Sequence, residues 1–326
     1  MAGTPRYTSL DGLRGVAAIA VMLFHAVPAA MPGGYLAVDF FFCLSGFVIA
    51  LAYGRRLDEG LTFETFVRLR LVRLYPMMFV GGVLGIALHG GNPNILLLVP
   101  DFMSTSLFPT NPPFWSLLAE VLVNLAFALL LVKLGHGSLL VIVAVSGATL
   151  AAGILTGPWP RELGSNWETI PWMLPRTLFS FGLGVLLFRW HQSAEPVRRT
   201  SAWAFLMPAA MLAVMAFGPA SRAGWDTLAI LFVLPTIVWV GTRFEMPMLP
   251  LWERLGALSF PLYCIHMPII YFVADEPFTR LTVAAALLPA ALAFDRRYDR
   301  RARKWLADRA LRTVGGKVVV PCTMVQ

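Results

Sequence analysis

The chain has 326 residues, of which 58% are hydrophobic and 13% charged, with a net charge of +8. A soluble domain carries about 25% charged residues, so this composition excludes an ordinary soluble protein and predicts an all-α, polytopic integral membrane protein. The positive balance does not call for nucleic acid, because most Lys and Arg flank apolar stretches, as membrane topology alone requires.

In chain order, apolar windows predict about ten transmembrane helices, near 12–30, 33–53, 74–90, 114–132, 138–157, 172–190, 202–217, 226–241, 255–274 and 279–294. One apolar piece, 95–108, is short and holds Pro100 and Asp101; it reads as re-entrant or interfacial. With the N-terminus in the cytoplasm, every Lys and Arg except Arg14, Arg161, Arg176, Arg222 and Arg280 falls on the cytoplasmic side. The positive-inside rule therefore favours an N-in/C-in arrangement. Residues 1–312 read as one membrane domain, and residues 313–326, where the helical pattern stops, as a disordered tail. Cys43, Cys264 and Cys322 have no CxxC or Cys/His ligand spacing, so neither a disulfide framework nor a metal site is expected.

Ionisable residues inside apolar text are costly and mark function. Arg14 and His25 are eleven residues apart in the first span, about three turns, so they share a face about 16 Å apart along the axis. Counting from span ends puts Asp39, Glu120, His266 and Arg176 at the level of His25, in the outer half. Ser116, four residues before Glu120, shares its face. A second level, at the cytoplasmic rim, holds Arg68, Arg70 and Arg73 with Arg14. Arginines suit phosphates through bidentate hydrogen bonds, and a neutral imidazole can take a proton from a hydroxyl with a carboxylate orienting it. Acyl-coenzyme A has the matching shape, a phosphorylated head and an extended arm. A transporter is the competing reading, on the intramembrane charges and Pro-interrupted helices; no inverted repeat accompanies them.

The motifs L-D-G-L-R-G at 10–15, V-D-F-F-F-C-L-S-G-F at 38–47, R-L-V-R-L-Y-P at 70–76, W-S-L-L-A-E at 115–120, L-S-F-P-L-Y-C-I-H-M-P at 258–268 and Y-D-R-R-A-R-K-W-L at 298–306 occur in that order. As a set the chain resembles the acyltransferase-three family of bacterial inner-membrane enzymes, which O-acylate surface polysaccharides, O-antigen, nodulation factors and macrolides. The resemblance implies cytoplasmic acyl-CoA, acetyl-CoA first, as donor substrate with no permanently bound cofactor. It implies a hydroxyl of an extracytoplasmic or lipid-linked glycan as acceptor. By position, Arg14 and His25 look like the essential pair, Arg70 and Arg73 (with Arg68) the donor-side motif, and Glu120 the membrane carboxylate. The expected catalytic set is thus His25, as general base or transient acyl carrier, with Glu120 or Asp39; His266, Ser116 and Arg176 support it. Ala37, Leu69, Asp299 and Arg301 depart from the family's usual residues.

Overall fold

A computed structural model describes residues 7–157, 163–192, 199–219 and 221–310. The tail expected at 313–326 lies outside the described residues.

Helices dominate: α1 (Thr8–Ala26), α2 (Ala37–Ile49), α3 (Arg55–Asp58), α4 (Phe63–His89), α5 (Phe114–Leu129), α6 (His136–Thr156), α7 (Met173–Gln192), α8 (Leu206–Ala216), α9 (Ala223–Leu228), α10 (Leu234–Arg243), α11 (Leu249–Phe272), α12 (Pro277–Phe294) and α13 (Arg300–Ala310). Single π-helical turns join α2 to α3, α9 to α10 and α12 to α13. Among the described residues, eight of the resulting stretches are long and apolar enough to cross a membrane, and two shorter apolar helices, Phe114–Leu129 and Ala202–Ala216, bring the set to ten. The only strands described are two-residue β1 (Arg199–Thr200) and β2 (Phe244–Glu245), paired in parallel. Residues 95–108 form no membrane-length helix; a short 3-10 turn, Pro93–Leu97, leads into irregular chain.

One expectation about helix limits needs correction. The third span, expected from residue 74, begins at Phe63. The Thr62 side chain caps it by accepting from the Thr65 N–H at 3.3 Å, satisfying a donor that the first turn leaves free. The polar segment with Arg68, Arg70 and Arg73 is therefore helix, not loop.

The centre of the fold is a parallel pair, α1 against α11. Gly12 faces Trp252, Gly15 faces the Leu255 backbone and Gly256 faces Asp11. A Cβ at Gly15 would lie 2.3 Å from the Leu255 carbonyl oxygen, so this glycine is what lets the backbones meet. A second parallel pair, α2 against α7, meets in the same way. Cβ atoms at Gly46 and Gly184 would each fall 2.0 Å from a carbonyl oxygen, of Phe181 and Cys43 respectively.

α4 lies along α11 in the same direction, with Gly81 against the Cys264 carbonyl. That carbonyl has no helical donor, because Pro268 lacks an N–H. Asn111 Nδ2 supplies one at 2.9 Å. Asn111 belongs to a cap over the His25-bearing end, formed by the segments flanking α5 and α7. The cap is zipped by Leu107 N–H to Ser165 O (3.3 Å) and Trp167 N–H to Thr105 O (3.1 Å). At the same end the Tyr35 hydroxyl donates to Asp226, which also accepts from Arg222 Nε at 3.2 Å.

Candidate active site

Helix α4 places Arg70 and Arg73 three residues apart, hence on one face, toward α1, α2, α5 and α11. These five helices enclose a cavity of about 180 Å³ lined by Arg14, Phe41, Phe42, Ser45, Arg70, Arg73, Ser116, Glu120, Ser259 and Tyr263, among others. Arg14 Nε donates to Ser259 Oγ at 2.9 Å, and its Nη2 reaches the Gly256 carbonyl at 3.3 Å. Arg70 Nη2 donates to Glu120 Oε1 at 3.2 Å. The same oxygen accepts from Ser45 Oγ at 2.5 Å and Asn124 Nδ2 at 3.2 Å. The Arg73 guanidinium lies over the Phe260 ring at 5.2 Å, and its Nη1 is buried without a hydrogen-bond partner among the described residues. Arg14 also pairs with Asp11 at 3.5 Å, so three guanidinium groups face two carboxylates, Glu120 and Asp11, and this end of the cavity keeps a net positive charge. Its opposite end is aromatic, where Phe41 packs edge-on against Tyr263 at 5.6 Å.

Arg68 stays outside the cavity. It points away from Arg70 and pairs with Glu64 at 2.5 Å on the exposed side of α4. The physical reason is helical phase, since two residues turn the side chain by about 200°.

The single outer level expected for His25, Asp39, Glu120, His266 and Arg176 is also corrected, because the structure separates them into three groups. Glu120 belongs with Arg70 in the cationic cavity. Asp39 is fully engaged with Arg176 in a bidentate pair at 2.9 and 2.7 Å. Arg176 additionally donates to the Leu163 carbonyl at 3.1 Å and lies over Trp115. This pair ties α2 to α7 and keeps both charges satisfied inside the protein. His25 and His266 form the third group, with ring centres 5.3 Å apart. Neither Glu120 nor Asp39 is bonded to His25, so no carboxylate orients that imidazole among the described residues.

Arg14 and His25 do share the face of α1 that meets α11. The Arg14 side chain leans along α11 to Ser259, seven residues before His266, which is about 10 Å of helix rise. The charged group therefore approaches the histidines more closely than the 16 Å between the two positions on α1. Tyr263 joins the two regions. It lines the cavity, its hydroxyl bonds Ser116 Oγ at 2.6 Å, and its ring lies 5.9 Å from that of His266. Ser116 also donates to the Pro113 carbonyl, so its hydroxyl is held by two partners. The other histidines serve helix ends: His89 meets the Pro268 carbonyl, His136 meets Trp190, and His191 meets Tyr7.

Ser45, Ser259 and Tyr263 were not singled out from the sequence as site residues. The signal existed for two of them, since positions 259, 263 and 266 follow the i, i+4, i+7 spacing of one helix face. Ser45 carried no such mark. The arrangement can hold an anionic group at Arg14, Arg70 and Arg73, and Tyr263 at the aromatic end of the cavity packs against the His266 ring.

The acyltransferase domain family matches residues 7–309. The chain is 36% identical over 162 residues to "Protein 2 in picA locus" of Rhizobium radiobacter, covering 38% of this chain and 81% of that protein. It is 26% identical over 324 residues to "Acyltransferase MdmB" of Streptomyces mycarofaciens, covering 82% of this chain and 80% of the relative. No solved structure matches. Ten apolar helices and a family match over nearly the whole described chain place the protein in the acyltransferase-three family, as a multi-pass membrane enzyme that transfers acyl groups.

Proposed function

We propose that this enzyme moves an acyl group, acetyl first, from cytoplasmic acyl-CoA to a hydroxyl of an extracytoplasmic or lipid-linked glycan at the bacterial inner membrane. The observation that carries the reading is the cavity lined by Arg14, Arg70 and Arg73, where Glu120 is the one carboxylate of the lining and Asp11 pairs with Arg14 beside it. Such a site suits a donor's phosphates, because charge-assisted bonds from guanidinium groups are strong and geometrically selective. Glu120 then acts on the donor side, holding Arg70 in place rather than orienting His25.

The thioester end of the donor lies at the aromatic end of the cavity, at Tyr263, on the side of the histidines. His25 takes the proton of the acceptor hydroxyl as its oxygen bonds the acyl carbon. The C–S bond breaks, and the thiolate of coenzyme A receives the proton from the imidazolium. In the alternative two-step course His25 itself carries the acyl group between donor and acceptor.

The test uses the full chain in lipid nanodiscs with acetyl-CoA. The wild type should release free coenzyme A in the presence of a lipid-linked saccharide fraction from the source cells. His25→Ala, with an unchanged melting profile, should release none. Wild-type turnover in that variant would remove His25 from the mechanism. Mass analysis of surface glycans from cells with and without the protein should show the loss of acyl mass.

A further inference from the structure

His266 is completely buried in α11, and its two ring nitrogens are in opposite situations. Nδ1 lies 3.0 Å from the Leu262 carbonyl and 2.9 Å from the Tyr263 carbonyl. A carbonyl oxygen only accepts, so Nδ1 carries the hydrogen and Nε2 is left as a bare acceptor. That Nε2 is buried with no hydrogen-bond partner among the described residues. Buried polar atoms are nearly always paired, so an orphan of this kind calls for an explanation.

The neighbouring rings narrow the explanation. Tyr263, at 5.9 Å, has its hydroxyl engaged with Ser116 and the Pro113 carbonyl. His25, at 5.3 Å, has no hydrogen bond among the described residues. One imidazole therefore lacks a donor, and the imidazole beside it has an N–H to give.

We propose that His266 is a positioning residue for His25: its Nε2 accepts the N–H of His25 and so leaves the other nitrogen of His25 unprotonated toward the acceptor hydroxyl. The inference rests on the acyl-CoA reading above. In the reacting complex His25 removes the hydroxyl proton and becomes an imidazolium. Its second N–H stays bonded to His266 while the acyl–oxygen bond forms and the C–S bond breaks. The proton then leaves with the coenzyme A thiolate, and His266 gains and loses none. A neutral imidazole performs the orienting task usual for a carboxylate without placing a further anion in an apolar environment. The backbone carbonyls of Leu262 and Tyr263 fix its tautomer, as second-neighbour hydrogen bonds do for other functional histidines.

The test compares His266 variants that keep or lose a side-chain acceptor, in nanodiscs, with acetyl-CoA and the same saccharide fraction. His266→Phe should lower kcat by about 100-fold while the KM for acetyl-CoA stays within about twofold, and His266→Asn or His266→Gln should recover to within about tenfold of wild type. If His266→Phe does not melt like the wild type, the contrast is read between His266→Leu and His266→Gln. Unimpaired kcat without the acceptor, or equal loss with and without it, would overturn the positioning role. A wild type that releases no coenzyme A, or a fully active His25→Ala, would instead sink the underlying reading and this inference with it.

Discussion

Arg70 and Arg73 look interchangeable with Arg68 in the sequence, yet the fold gives them different work. Arg68 extends toward Glu64 on the exposed side of α4, and an exposed pair of this type contributes little to stability. Arg73 is instead stacked over Phe260 with a buried, unpaired Nη1 beside the cavity. Such a group has most to gain from an incoming anion, since a charge-assisted hydrogen bond replaces no existing one. Arg73→Gln should weaken acetyl-CoA binding about tenfold or more, while Arg68→Gln leaves it unchanged. Titration of each purified variant with acetyl-CoA by calorimetry checks the contrast. Equal weakening by both substitutions would mean that the donor site is a diffuse basic rim rather than this cavity. Asp39 shows the complementary case. The sequence marks it as a costly charge in apolar text, and the pairing with Arg176 accounts for it structurally.

At the scale of elements, the glycines of L-D-G-L-R-G are explained by the α1–α11 seam. Gly15 faces the Leu255 backbone itself, which cannot be relieved by moving a flexible side chain. A larger residue there must push the helices apart, and Arg14 would lose its reach to Ser259 on the same seam. Gly15→Val should therefore destabilise the protein by about 1–3 kcal/mol and lower acyl transfer with it. Gly54, helical and with no atom within 4 Å of an added Cβ, is the matched control. Gly54→Ala should be neutral or slightly stabilising. Thermal melting in detergent separates the two, and a Gly15→Val protein that melts like the wild type would show that the seam tolerates wider spacing. The early start of α4 belongs to the same scale. Hydropathy windows register apolar content, so a capped, Arg-rich start of a helix reads as loop; the signal was local, in Thr62 and in the Glu64–Arg68 spacing.

Across the whole molecule, the number of apolar helices was legible, because hydrophobic length acts along the chain. What sequence could not supply was where each helix begins relative to its neighbours. Phe114 was counted as lying at the membrane surface, but it is fully buried beneath the cap built from the chain before it. Glu120, one turn beyond Ser116 on this helix, meets Arg70 instead of His25. His266 was named from the sequence as a support, but its contact with His25 was not legible, since contacts between α1 and α11 share no local sequence. One global property follows from the alternation of the helices. The Arg14-bearing ends of α1, α4 and α11 lie together, with the chain after α12 returning to them through Asp299 and Arg303 near Arg73. If donor phosphates bind there, this end must face the cytoplasm, where acyl-CoA is found, and the turn at Glu276 must face the other side. Cys43 and Cys264 are buried, so with Cys322→Ser they leave a quiet background for single-cysteine labelling. Glu276→Cys should react with a membrane-impermeant maleimide in intact spheroplasts, and Glu59→Cys only after permeabilisation. The opposite pattern would put the arginine cavity outside the cell, beyond the reach of cytoplasmic acyl-CoA, and the donor assignment would fall with it.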